Sequence, residues 1–138
     1  MSFERVHTMT DYCDGPRGGV AEFGGIPHLY ESEWDDAADN YASTFRLSPI
    51  SPDLMALALE HWKIWERWWT AFYSGLATQE TRPALPVDRA RHDELDQILK
   101  RRLQIDPHDY IRARATFRTV LGWDGRGLAP NEVEWERC

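Results

Sequence analysis

Apolar and polar positions alternate through much of the first third of the chain, the period of a strand with one buried face. Residues 1–19 show little such period and hold the turn formers Asp14-Gly15-Pro16-Arg17-Gly18-Gly19, so they read as a lead-in loop. Residues 20–23 read as a short strand, and Gly24-Gly25 suits the positive φ of a hairpin turn. The alternation resumes over residues 26–34, placing Ile26, His28, Tyr30 and Trp34 on one face and Glu31 and Glu33 on the other. After the acidic loop 35–40, a third strand is predicted over residues 41–47.

The period then changes. Polar or small residues recur at Asp53, Ala56, Glu60, Lys63, Arg67, Thr70 and Ser74, at steps of 3 and 4, and most residues between them are large and apolar. With Ser51 to cap, Pro52 in the first turn and Gly75 to terminate, this predicts a helix over residues 52–74, buried on most of its circumference. A Pro-rich connector (81–86) leads to an amphipathic helix over residues 87–103, where Leu95, Ile98, Leu99 and Leu103 share a face and Asp96 pairs with Lys100. Residues 110–121 alternate again, with Arg112, Arg114 and Arg118 on the polar side. A Gly-rich loop (122–127) and an irregular tail with one short helical turn close the chain. The prediction is one α+β domain over residues 1–138: an antiparallel sheet of about four strands in the order β-β-β-α-α-β, packed on the long Trp-rich helix and the second amphipathic helix.

Charge narrows the partners. Residues 1–53 hold ten acids and three bases and residues 54–138 thirteen of each, so the formal net charge of −7 sits wholly in the N-terminal third. Acidic surface repels phosphate, so no nucleic acid is expected there. No apolar run nears the roughly 20 residues of a membrane span, no secretory leader pattern opens the chain, and a cytoplasmic protein is expected. Cys13 and Cys138, far apart and outside any CxxC pair, read as two free thiols in a reducing cytosol.

The chemistry-bearing patterns are few. His7, His28, His61, His92 and His108 show no i,i+3 or i,i+4 pairing with one another, so no catalytic, cofactor or metal-ligating set is read here. The arginine row Arg112, Arg114 and Arg118 suits an anionic ligand, but outward Glu22, Glu31 and Glu33 compete for it, and a cross-strand ion-pair ladder is expected. Four of the seven tryptophans lie within residues 62–69; Trp62, Trp65 and Trp69 are helical neighbours that form core, an apolar pocket wall or an interface. Read as core, Trp65→Ala costs about 3–5 kcal/mol.

Two phrases, residues 11–19 (Asp-Tyr-Cys-Asp-Gly-Pro-Arg-Gly-Gly) and 83–92 (Pro-Ala-Leu-Pro-Val-Asp-Arg-Ala-Arg-His), resemble phrases of a family of small, uncharacterised bacterial cytosolic proteins. They cover under a fifth of the chain. The resemblance implies a bacterial cytosolic protein and carries over no catalytic or binding residue. Three function classes stay open. The first is a non-enzymatic protein–protein interaction module that binds a protein partner or itself as a homodimer. The second is a binder of a small anionic or apolar ligand, with aromatic walls and an arginine anchor. The third is an enzyme with a dispersed site around His28, Tyr30 and the loop ending at Arg17.

Overall fold

The computed structural model describes residues 2–125 and 127–138; Arg126, inside the predicted Gly-rich loop, lies outside them. Five strands come first: β1 (Glu4–Arg5), β2 (Asp11–Tyr12), β3 (Pro16–Phe23), β4 (Ile26–Asp35) and β5 (Asn40–Pro49). Helix α1 (Pro52–Tyr73), two 3-10 turns, helix α2 (Arg89–Arg102), β6 (Ile111–Thr119) and β7 (Asn131–Arg137) follow. The strands form one antiparallel sheet in the order β1-β7-β6-β5-β4-β3-β2.

The N-terminal arm curls this sheet into a half-barrel. Glu4 and Arg5 pair with β7, and Val6 then bridges to Ala21 of β3, so one short segment joins strands from both halves of the sheet. The His7 and Thr8 amides donate to the Val20 carbonyl at 2.8 and 3.0 Å, and the Thr8 hydroxyl accepts from the Val20 amide at 2.8 Å. Only glycine admits the crossing: a Cβ on Gly19, at φ +154°, would stand 2.2 Å from the Thr8 carbonyl oxygen. Glu4 fastens the arm further, accepting from the amides of Gly24 and Gly25 in the hairpin turn.

Inside the curl lies the main core. Val6, Ala21, Tyr30, Phe45, Leu47, Ala113, Val133 and Trp135 are buried there. Tyr30, Phe45, Phe117 and Trp135 form a four-ring cluster in which all six centroid separations fall between 5.7 and 6.1 Å. The polar tips find carbonyls: Tyr30 Oη donates to Thr8 O and Trp135 Nε1 to Glu22 O. A second cluster, Leu54 and Ala58 of α1 with Leu99 of α2, covers Val20 on the sheet. Among the described residues, no helix is long and apolar enough to cross a membrane.

This corrects the predicted fold of about four strands packed on the Trp-rich helix. The lead-in loop contains β1, β2 and the start of β3, and the supposed irregular tail is β7. The reason is backbone pairing. Seven strands make an interior of their own, and Val133 and Trp135 fill it. The helix therefore covers one side of the sheet instead of forming its core, and only Leu54, Ala58, Trp62, Ile64 and Trp68 of α1 are fully buried. Trp34 also leaves the predicted inner face: the β4–β5 register shifts between Ser32 and Trp34, and Trp34 lies exposed against Tyr41.

Candidate functional site

Helix α1 begins where its signals placed it. Ser51 caps it, the Leu54 amide donating to Ser51 Oγ at 3.2 Å, with Asp53 at the positive end of the dipole. Two forked arginine contacts set α2 and the segment before it against α1. Arg91 grips Glu60 at 2.6 and 2.7 Å, and Arg67 grips Asp88 with two bonds of 2.9 Å. Leu95 and Leu99 bury the apolar face of α2, while His92 and Asp96, one turn apart, stand beside His61 of α1.

A cleft of about 470 Å³ opens there. Its lining is Met9 and Thr10 of the N-terminal arm, His61, Trp62 and Trp65 of α1, Arg82 and Pro83 of the connector, and His92 and Asp96 of α2. Arg82 holds its guanidinium 5.3 Å from the Trp65 ring centre and 6.0 Å from that of Trp68. It makes no ion pair among the described residues.

The polar side is electrostatically unusual. The His61 and His92 rings stack at 5.0 Å with 23° between their planes. His61 Nε2 lies 3.4 Å from Asp96 Oδ1, yet it is buried and has no hydrogen-bond partner. Burial, reinforced by the neighbouring His92, holds His61 below its ordinary pKa against the opposing pull of Asp96. His92 Nδ1 meets Asp93 Oδ1 at 3.0 Å. An ionised carboxylate only accepts, so Nδ1 donates and, in the neutral ring, Nε2 is the nitrogen with the free lone pair. The other Asp96 oxygen stands 3.3 Å from Lys100, the i,i+4 pair expected on this helix. A second cleft, of about 500 Å³ and also lined by Trp62, holds His7. The buried His7 Nε2 likewise has no hydrogen bond and stands 3.5 Å from Glu22 Oε1, but among the described residues this cleft has no comparable cluster.

The sequence-predicted residues disperse. Trp62 and Trp65 meet in the cleft; Trp69 is not part of its lining and packs on Tyr73 at 4.5 Å with the rings tilted by 40°. The most deeply buried tryptophan of this run is Trp68, with Nε1 donating to Thr81 Oγ1 at 3.0 Å. Arg112 pairs with Glu33 at 2.9 Å and Arg118 with Glu132 at 2.6 Å, while Arg114 joins neither pair. Glu33 also accepts from Thr44 and Arg46, and these donors outweigh burial to hold its carboxyl below the usual range. The ladder thus forms at two of its three arginines, with Glu132 in place of the expected Glu22 and Glu31. His28 and Tyr30 lie in the sheet's buried interior, with His28 Nδ1 donating to Ile26 O at 2.7 Å. Arg17 sits over the Tyr41 ring at 4.4 Å and donates to Cys13 O. None of Arg17, His28 and Tyr30 lines the cleft.

Sequence reasoning passed over His92, Asp96 and Arg82. It sought histidines paired with histidines, whereas the signal is a His-x-x-x-Asp step on α2, beside the Leu95 and Leu99 that mark its buried face. His61 joins them only across the connector. Comparison with family models, with curated proteins and with solved structures gives no match, so the function of this chain has to be argued from its own residues.

Proposed function

We propose that this protein binds a small organic anion with a planar, apolar body in the cleft between the N-terminal arm and the helix pair. Trp62 and Trp65 are the walls and Arg82 is the anchor. The observation that carries the reading is the guanidinium of Arg82, held over aromatic rings in the cleft lining without a carboxylate partner among the described residues. An arginine so placed offers a forked donor to a carboxylate or phosphate while the rings take the apolar part. Two free thiols and the resemblance of the two phrases support a bacterial cytosolic setting for this activity.

The test is a titration with a panel of aromatic carboxylates and phosphate esters, read by tryptophan fluorescence and by melting temperature. At least one compound is expected to bind saturably and raise the melting temperature, and Arg82→Ala and Trp65→Ala each abolish the effect. A panel with no binder, or binding that survives Arg82→Ala, rejects the reading.

A second reading, self-association as a homodimer, rests on Tyr73 and Leu76 at the end of α1, which are 67% and 82% exposed. Light scattering at micromolar concentration tests it: a dimer that Leu76→Glu dissociates supports it, and a 16.1 kDa species rejects it.

A further inference from the structure

We propose that His61, His92 and Asp96 form a binding site for a divalent first-row transition metal, with Zn²⁺ and Co²⁺ as its test ions. This goes beyond the small-ligand reading and does not need it, since a cleft that takes no organic anion can still hold a cation at these three residues.

The argument begins with geometry. One donor atom from each residue lies within 4.8 Å of the other two, although His61 comes from α1 and His92 and Asp96 from α2. Metal–nitrogen bonds of about 2.0–2.1 Å put tetrahedral ligand atoms roughly 3.4 Å apart. The His61 Nε2 to Asp96 Oδ1 pair already stands at 3.4 Å, and the remaining separations are at most 4.8 Å. The two helices that carry the ligands are held side by side by the Arg91–Glu60 fork.

Donor chemistry agrees. Two imidazoles and one carboxylate form a nitrogen and oxygen set, which suits Zn²⁺, Fe²⁺, Co²⁺ or Ni²⁺ better than the all-oxygen shells of Ca²⁺ and Mg²⁺ or the sulfur ligands of Cu⁺. His61 offers a buried nitrogen that has no hydrogen bond to lose. His92 is oriented by Asp93 on Nδ1, the carboxylate–histidine arrangement that fixes a ligand's tautomer and leaves Nε2 to coordinate. Three protein ligands leave a coordination position for water or a bound molecule on the side where Trp62 and Trp65 line the same cleft.

The experiment uses the full chain stripped by a chelator and then titrated with the metal alone, Zn²⁺ by calorimetry and Co²⁺ by its visible absorption. One ion per chain is expected with micromolar or tighter affinity, together with the intense visible bands of four-coordinate Co²⁺. Asp96→Asn, which preserves shape, and His61→Ala are expected to weaken binding by more than the roughly 10- to 100-fold that loss of an outer partner costs. Asp93→Asn is expected to fall within that range, and His108→Ala, on an exposed loop, to leave affinity unchanged. Circular dichroism checks that each variant folds; if His61→Ala does not, Asp96→Asn and the wild-type Co²⁺ spectrum decide. The proposal is overturned if the wild type binds no ion more tightly than millimolar, or if Asp96→Asn binds as tightly as wild type. Titration of organic anions in the presence of chelator is a separate measurement, so either idea fails without the other.

Discussion

The interior of the curled sheet and the cleft between its arm and the helices are both rich in aromatic rings, but they treat polar groups in opposite ways. In the interior each aromatic polar tip is satisfied by a carbonyl: Tyr30 by Thr8, Trp135 by Glu22, and His28 by Ile26. In the cleft, Trp62 and Trp65 stand beside a guanidinium with no carboxylate among the described residues and a buried imidazole nitrogen with no hydrogen bond. Ring content alone therefore does not separate core from binding surface. The distinguishing feature is whether nearby donors and acceptors are already paired within the chain.

The strongest way to break this comparison is Trp135→Ala. It removes a ring from the four-ring cluster and the bond to Glu22 O, and is expected to cost about 3–5 kcal/mol in denaturant melts. A cost near that of a surface change would mean the interior is not the main core. Next comes Gly19→Ala, whose methyl meets the Thr8 carbonyl oxygen and must push the arm away. A loss of about 1–3 kcal/mol is expected, with faster hydrogen exchange at the His7 and Thr8 amides. Unchanged exchange would show that the arm does not depend on this crossing.

Tyr30→Phe keeps the ring and removes only the bond to Thr8 O, so about 1–2 kcal/mol is expected in the same melts. Trp65→Ala sharpens the contrast from the other side. Trp65 is half-buried and lines the cleft, so the 3–5 kcal/mol expected of a core tryptophan falls to about 1–2 kcal/mol, while ligand binding is lost. A loss as large as that of Trp135→Ala would return Trp65 to the core.

The smallest effect is in pH. Burial, the first cause in each case, holds His7 and His61 below 6.5 in the folded chain. Below pH 6.5 the unfolded chain then binds more protons than the folded one. The stability from these two histidines is complete above pH 6.5 and declines as pH falls toward their folded values. Denaturant midpoints across pH 5–7.5 measure it, and His61→Gln is expected to flatten the slope (pH range chosen to bracket the value of about 6.5 for free histidine). An identical slope in the variant would mean that His61 stays titratable as in water.

Local order was legible where it rests on neighbours along the chain. The cap at Ser51, the 3- and 4-residue stripe of α1, the Gly24-Gly25 turn and the alternation of β4 each involve residues a few positions apart, so pattern alone located them. The tail was missed although it alternates as well, with Val133 and Trp135 inward between Glu132, Glu134 and Glu136. Its Pro130 and the Gly-rich loop before it drew attention to irregularity, and a strand declares itself only beside its partner. The site was less legible still. Trp62 and Trp65 were picked out as ring wall, but Arg82 was not, because nothing in a Pro-rich connector shows that its guanidinium stands over a helix.

By itself, the sequence determined the helices, the central strands and the outward polar rows, because caps, turn residues and periodicity act over one or two turns of chain. Tertiary structure decided which strands seal the curl, which tryptophan is core, and which charged groups meet. Those outcomes depend on contacts such as Val6 with Ala21, Trp135 with Glu22 and His61 with Asp96, between residues 15 to 113 positions apart. No local pattern encodes such contacts; they follow from the way the sheet closes and the helices are clamped against one another.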